Sequence, residues 1–292
     1  MFAPAPLGDP RIEILAESAF GPTPGRAAAE LPAAGSALGS WYRAVILGGQ
    51  GRYAAARAEL RIIYADSVDP VLISLAASTE GSLLRQLGWH DRAAVLDGRA
   101  VAMVTNTSLG DRAVDPAAGP DYPFGRADAL GDALTGLAAD ALGTGRTALA
   151  WRLLRRGEEA VPPDRLGWRP ALRRQWVSAE TALAAGAFEA ATGHAAAALA
   201  LAERGPSVRH LVKSRLLVAA AAAATGDHDR SRMLAEQVTS QCREHGLVPL
   251  RWASAMLRGG LGVPGAVAEA ERCAAIISRR GGRFRPITAD QR

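Results

Sequence analysis

Hydrophobic residues recur at helical spacing along most of the chain. In residues 11–18, Ile12, Leu15 and Ala16 share one face of a short predicted helix. From Ala37 onward, apolar positions follow a period of about 3.6 residues almost without interruption. No run alternates apolar and polar residues for long enough to indicate a β-strand. The pattern predicts an all-α chain.

Turn and cap residues divide the helical stretch into separate helices. Asp69 and Pro70 suit the N-cap and first position of a helix, and Gly205 with Pro206 ends another. Short glycine-centred turns recur at intervals of about 40 residues, which is typical of repeated helix pairs. The turn glycines are Gly51, Gly88, Gly145, Gly186 and Gly226.

Small residues flank each of these turns. The position seven residues before each glycine and the position five residues after it carry Ala, Gly or Ser in all ten cases. Small residues at matching offsets let two antiparallel helices approach closely on either side of a tight turn. The positions are Ala44, Gly81, Ala138, Ala179 and Ala219 before the turns, and Ala56, Ala93, Ala150, Ala191 and Ser231 after them.

These positions make the helix pairs resemble tetratricopeptide repeats, a family of helix–turn–helix units of about 34 residues. The best match covers residues 78–103, where Gly81, Leu84 and Gly88 fall on the small and apolar positions of the family. The longer spacing and the missing closing proline make the repeats irregular. The resemblance implies an α-α superhelix, or solenoid, of five or six antiparallel pairs, the sixth around Gly262. An Ala-rich helical bundle without superhelical stacking is the alternative.

The chain divides into three predicted parts. Residues 1–36 form a Pro-rich, largely irregular segment, residues 37–280 the repeat domain, and residues 281–292 a basic flexible tail. An irregular insertion at 105–125 accounts for the long interval between the second and third turns. It is either a loop that folds over one rim of the repeat groove or a tolerated insertion, and it offers two aromatic residues for contacts, Tyr122 and Phe124.

The amino-acid composition indicates a source and a cellular location for the protein. The chain has 34 Lys and Arg residues against 29 Asp and Glu residues, and Lys213 is its single lysine. Such arginine use is typical of a GC-rich genome, so we expect an actinobacterial source. Two cysteines are too few for a disulfide framework, and no signal peptide or apolar run of about 20 residues is evident. We therefore expect a cytoplasmic protein without membrane association.

Short motifs give no support for catalysis. The segment at 142–147 resembles a phosphate-binding loop, but Asp140 stands where a glycine is required and Arg146 replaces the lysine. Cys242 and His245 have a metal-ligand spacing but lack further ligands nearby in the sequence. We expect no enzymatic activity, no metal and no cofactor.

The resemblance also implies a binding surface, because the first helix of each tetratricopeptide pair lines a concave groove in which peptides bind. Trp41 and Trp176 would supply apolar anchors. Arg85, Arg173 and Lys213 would pair with carboxylates. Ordinary packing is the alternative for each residue. The full predicted set is Trp41, Ser78, Ser82, Arg85, Asp132, Thr135, Arg173, Trp176, Glu180 and Lys213.

These observations favour a non-catalytic adaptor or scaffold that binds a partner peptide or helix in its groove. The net charge of +5 is compatible with an acidic partner. Ala-rich faces at the ends of the array would let two copies stack as a homodimer. The alternative function is an Arg-rich repeat that binds nucleic acid or serves as a regulatory module of a transcription complex.

Overall fold

The computed structural model describes residues 9–106 and 124–286. Within these ranges all regular secondary structure is helical, and it includes one short 3-10 turn at Pro163–Arg165. The α-helices are α1 (Pro10–Phe20), α2 (Ala37–Gly49), α3 (Tyr53–Asp66), α4 (Pro70–Arg85), α5 (His90–Thr105), α6 (Arg126–Gly143), α7 (Thr147–Ala160), α8 (Trp168–Ala184), α9 (Phe188–Arg204), α10 (Val208–Ala224), α11 (His228–Glu244), α12 (Val248–Gly260) and α13 (Ala266–Arg279).

Helices α2 to α13 form six antiparallel pairs, each joined by a short turn. Each turn contains a glycine with φ between 71° and 85°, a conformation that costs other residues energy. The prediction of an all-α array of five or six pairs is confirmed. The six glycines are the five predicted ones and Gly262.

The small residues predicted beside the turns lie where paired helices touch. All ten positions are buried. Gly81 shows why size matters, because a Cβ atom there would lie 2.8 Å from the Oδ2 atom of Asp97 on α5. The spacing pattern therefore records close helix packing within pairs.

The first helices of the six pairs pack in series, and the last returns to the first. Contacts run from α2 through α4, α6, α8 and α10 to α12, and α12 also touches α2. Val248 and Pro249 at the start of α12 lie beside the Gly51 turn. The amide of Ala54 donates to the carbonyl of Arg280 at 3.0 Å. The superhelix thus closes on itself.

The residues after α13 reinforce this closure. Trp89 Nε1 donates to the carbonyl of Arg283 at 2.6 Å, and the amide of Arg285 donates to the carbonyl of Leu87 at 2.8 Å. The ring of Phe284 lies 5.1 Å from that of Trp252 on α12. We call residues 280–286 the C-terminal strap. Part of the segment expected to be a flexible tail is therefore packed, because its backbone groups find partners on the first two pairs and the ring of Phe284 finds one on α12.

The N-terminal region holds a helix, as predicted, and α1 extends beyond the expected residues 11–18. Asp9 caps it by accepting a hydrogen bond from the Arg11 amide at 3.0 Å. The segment that follows is irregular, but it packs against α2 rather than extending into solvent. Arg43 donates to the carbonyls of Leu31 and Pro32 at 3.2 and 2.6 Å.

Most of the predicted insertion at 105–125, including Tyr122, lies outside the described residues. Its last two residues directly precede α6, and the side chain of Phe124 packs against the main hydrophobic core. Among the described helices, none combines the length and apolar character that crossing a membrane requires.

Candidate partner-binding site

Helix α8 carries a stripe of charged and aromatic side chains along one side. Arg169, Arg173, Trp176 and Glu180 recur every three or four residues, so they share one side of the helix. Arg173 Nη1 donates to Asp132 Oδ1 on α6 at 2.5 Å. The stripe therefore links α8 to the neighbouring first helix on one side.

The same stripe meets α10 on the other side. Trp176 Nε1 donates to Ser214 Oγ at 2.9 Å, and Lys213 Nζ donates to Glu180 Oε1 at 2.6 Å. The ammonium of Lys213 also lies 5.9 Å from the centre of the Trp176 ring. We call Arg173, Trp176, Glu180 and Lys213 the α8–α10 patch.

Part of the α8–α10 patch is accessible to a partner. The side chains of Lys213 and Glu180 are 27% and 33% exposed, and Trp176 is half-buried. An ion pair with this exposure contributes only about 0–1 kcal/mol, so its charges can exchange partners at little cost. The indole, in contrast, is held in place by its hydrogen bond and by stacking on His210 at 5.3 Å.

An aromatic cluster lies next to this patch, since one of its members, His210, stacks on Trp176. Phe20 from the end of α1 lies 5.4 Å from Trp41 and 6.0 Å from Tyr42, measured between ring centres. It also lies 5.8 Å from Phe124 and 6.0 Å from His210. These five residues are the aromatic cluster, and they come from α1, α2, α10 and the segment that directly precedes α6.

Arg169 joins the charged stripe to the aromatic cluster. Its guanidinium lies 5.3–5.5 Å from the rings of Phe20, Trp41 and Phe124 and forms an ion pair with Asp132. Cation–π contacts compensate part of the cost of burying this arginine, which is 5% exposed.

Two side chains near the start of α10, Arg209 and His210, have lowered pKa values. Burial, together with the charges of Arg169 and Arg173, lowers the pKa of Arg209 to about 10. Burial and the adjacent arginines also hold the pKa of His210 well below its usual value, so the imidazole is neutral at pH 7. Its Nδ1 atom lies 2.8 Å from Ser207 Oγ.

Four other residues that were predicted to line the groove are buried or half-buried in the structure. Trp41 is 1% exposed and donates to Thr79 Oγ1 at 2.9 Å. Ser78 and Thr135 are buried, and Ser82 is half-buried on α4. The structure brings Asp132 together with the α8–α10 patch but does not bring these four residues to it.

Arg85 points into the seam between α4, α5 and α6. It forms ion pairs with Asp97 and with Asp140, the latter at 2.9 Å. Burial raises the pKa of both carboxyls, that of Asp140 to about 7, against the opposing charge of Arg85. Gly136 and Gly143 leave room for this buried group, since Cβ atoms there would collide with Asp97 and His90.

Sequence reasoning missed several members of the site. Arg169 precedes Arg173 by four residues, a spacing that could have placed it on the groove side of α8. Phe20, Tyr42 and His210 offered no such signal, because their association depends on contacts between distant parts of the chain.

The cysteines form no evident reactive site. Cys242 and Cys273 are buried free thiols, and burial raises the pKa of Cys242 to about 12. Within residues 9–106 and 124–286, no three His, Cys, Asp or Glu side chains are grouped so that they could hold a metal ion. His245 ends α11 beside Glu244.

Comparison with known proteins extends the description of the fold. No protein-family model matches the chain, and no curated protein matches it. A solved structure of a Rap protein complexed with Competence and Sporulation Factor is similar, with a TM-score of 0.60 and 11% sequence identity. The match covers 87% of this chain and 67% of the Rap chain. The fold is a tetratricopeptide-like helical repeat.

A second solved structure, BtubC (BKLC) from P. vanneervenii, matches with a TM-score of 0.47 and 16% identity. That match covers 83% of this chain and 96% of BtubC. At these identities, the similarity to the Rap protein concerns the helical-repeat architecture alone. The assignment of a binding surface therefore depends on the side chains of this chain.

Proposed function

We propose that the protein is a non-catalytic adaptor that binds a peptide or helix of a partner protein at the α8–α10 patch. The observation that carries the proposal is a fixed, half-buried Trp176 beside a weakly coupled, half-exposed ion pair on the concave face. The shared fold with the Rap protein, which was solved in a complex, supports a scaffold that binds another molecule.

The patch suits recognition for two physical reasons. Trp176 is already immobilised by Ser214 and His210, so a partner that packs on it loses little additional side-chain entropy. Charges of both signs border the indole, so a partner with a carboxylate would pair with Lys213 and bind in one orientation. A cytoplasmic setting belongs to the same proposal.

The charge distribution favours this function over nucleic-acid binding. Arg85, Arg169 and Arg173 are paired with buried carboxylates, as are Arg251 and Arg258 near the end of the array. These arginines contribute to the positive net charge without forming an accessible basic surface for phosphates.

Site-specific photo-crosslinking tests the proposal. p-Benzoylphenylalanine is placed at position 176 of the full chain and, as a control, at position 188, where Phe188 is 43% exposed on α9. Both proteins are irradiated in nuclease-treated lysate of the source organism. We expect one defined protein adduct from position 176 and none from position 188, identified by mass spectrometry.

The identified protein is then titrated against wild type and the Trp176→Ala/Lys213→Ala variant. We expect the variant to bind at least tenfold more weakly with unchanged helicity, as loss of an aromatic anchor requires. Equal adducts from both positions, or equal affinity of the variant, would exclude the α8–α10 patch. An adduct that forms only in lysate that has not been treated with nuclease would favour the alternative function.

A further inference from the structure

The segment 19–26 lies against the concave helices in the manner of a bound peptide. Arg209 Nη2 donates to the carbonyl of Ala19 at 3.5 Å, and the amide of Val208 donates to the carbonyl of Gly21 at 3.3 Å. Both donors belong to α10. Through its main-chain carbonyls, the segment is therefore hydrogen-bonded to the same helix that supplies Lys213 to the patch.

Helix α2 and its cap bind the other half of the segment. Gln50 Nε2 donates to the carbonyls of Pro24 and Arg26 at 3.1 and 2.8 Å. Gln50 is 6% exposed, and Pro24 is buried. Pro24 and Gly25 form a turn in which the Arg26 amide donates to the carbonyl of Thr23 at 3.2 Å. The Gln50 amide recognises the main chain of this turn rather than its side chains.

Phe20 supplies the side-chain anchor of this interaction. Its ring enters the aromatic cluster beside Trp41 and Phe124 and is only half-buried there. Pro22 and Pro24 follow within four residues and restrict the backbone, which reduces the entropy lost when the segment is held. The recognised pattern is one aromatic residue followed by glycine and proline.

The Phe20 site is continuous with the α8–α10 patch. The His210 ring lies 6.0 Å from Phe20 on one side and stacks at 5.3 Å on Trp176 on the other. A peptide chain anchored on Trp176 therefore reaches the position of Phe20 across a single imidazole ring.

We propose that residues 20–26 are an internal pseudo-ligand, and that the protein's partner presents an aromatic residue followed by a glycine- and proline-containing turn. The partner binds by displacing this segment. Leu15 and Ala19 stay buried against the core, so that α1 remains docked while the chain beyond it moves. The inference rests on the proposed function, because it specifies the partner of the same concave face.

Tethering makes the internal segment an effective competitor. A short linker gives the segment an effective concentration of about 1 mM at its own site. An added peptide of the same sequence binds only those molecules whose site is free. Its apparent association constant is the intrinsic constant multiplied by the fraction of free sites. Weakening the internal anchor without touching the site should therefore strengthen binding in trans.

A labelled peptide copying residues 15–25, with blocked ends, tests the proposal by fluorescence anisotropy on the full chain. We expect it to bind the Phe20→Ala variant at least tenfold more tightly than wild type. The matched Phe188→Ala variant should bind as wild type does, because Phe188 lies outside the site. A peptide with alanine in place of Phe20 should bind none of the three proteins. Equal binding to wild type and Phe20→Ala, or no binding to either, would overturn the proposal.

Trypsin cleavage gives a second measurement that needs no substitution. The peptide 15–25 contains no Lys or Arg, whereas displacement of the segment would expose the bond after Arg26 in the full chain. Saturating peptide should accelerate cleavage after Arg26 in wild type several-fold, as followed by mass spectrometry. An unchanged rate would count against displacement, even if Phe20→Ala proves unable to fold.

The two proposals fail separately. Peptide binding to Phe20→Ala with no lysate adduct at position 176 would overturn the adaptor function and leave the pseudo-ligand standing. A lysate adduct at position 176 with no peptide binding would do the reverse.

Discussion

At the scale of single residues, buried carboxyl groups are stabilised in two opposite forms, one charged and one protonated. Glu269 is 3% exposed and accepts hydrogen bonds from Arg251, Arg243 and Arg258. Burial alone would raise its pKa, but these donors outweigh burial and lower the pKa to about 2. The charged carboxylate is therefore the stable form in the folded protein.

The carboxyls of Asp97 and Asp140 show the other outcome. One guanidinium, that of Arg85, lies between two buried acids, so it can balance only one negative charge. Burial and mutual repulsion then favour a proton on the second acid, and the pKa of Asp140 rises from 3.8 to about 7. The pair is best described as sharing a single proton below neutral pH.

This pair predicts a pH dependence of stability. Because the pKa of Asp140 is raised on folding, its stabilising contribution is complete below about pH 4 and is lost as pH rises through about 7. We expect Asp140→Asn, which is always neutral, to reduce the decline in the free energy of unfolding between these pH values. Urea denaturation at several pH values measures the decline.

Glu269→Gln is the matched control for this experiment. The wild-type Glu269 carboxylate has a lowered pKa, so its contribution to the free energy of unfolding is present above about pH 4.5 and is lost as pH falls towards 2. The control should leave the decline between pH 4.5 and 7 intact. An Asp140→Asn profile parallel to wild type would contradict the shared proton.

At the scale of helices, the turn glycines and the small residues beside the turns have different structural roles. The glycines allow a left-handed backbone, whereas Ala44, Ala179 and their equivalents let paired helices come close. Gly186 isolates the first effect, because nothing lies within 4 Å of where its Cβ atom would be. A substitution there changes the backbone energy and not the packing.

Gly186→Ala and Gly193→Ala form a matched pair within one repeat. Gly186 has φ of 72°, so alanine should destabilise the fold by about 1 kcal/mol. Gly193 is exposed inside α9 with equally free surroundings, so alanine there should stabilise by about 0.5–1 kcal/mol. Urea denaturation distinguishes the two signs, and a common sign would contradict this account of the turns.

At the scale of the whole molecule, closure joins parts of the chain that are distant in sequence. The side chain of Gln50 binds residues of the N-terminal segment, while its backbone carbonyl accepts a hydrogen bond from Arg280 at 2.8 Å. Arg57 donates to the carbonyl of Gly281 at the same distance. The first helix pair is therefore covered by both terminal parts of the described chain.

The C-terminal strap should contribute measurably to stability. Phe284 is half-buried against Trp252, so Phe284→Ala should cost about 1–2 kcal/mol, less than a fully buried phenylalanine. Hydrogen exchange should increase most at the start of α3 and at the α4–α5 turn, which the strap contacts. Phe188→Ala, on an exposed side chain, should cost less than about 0.5 kcal/mol. A strap without this role would give the two variants equal stability.

The sequence predicted those features that depend on local spacing. The turn glycines and the small residues beside them repeat in register, because each pair solves the same packing problem. The resemblance to tetratricopeptide repeats assigned Trp176, Glu180 and Lys213 to a groove, and that assignment stays a prediction. No such register predicted the position of Phe20 or the course of the C-terminal strap, since Phe20 meets His210 across most of the array and neither segment repeats.

The contact between α12 and α2 has a consequence for how such a protein can change over time. An open array can gain or lose a unit, because each unit meets only its neighbours. Here an added pair would move α12 away from α2 and deprive the strap of its partners on α3 and at the α4–α5 turn. The closure therefore restricts the number of pairs between α2 and α13, much as strand number is fixed in a closed barrel, and directs variation to side chains and loops.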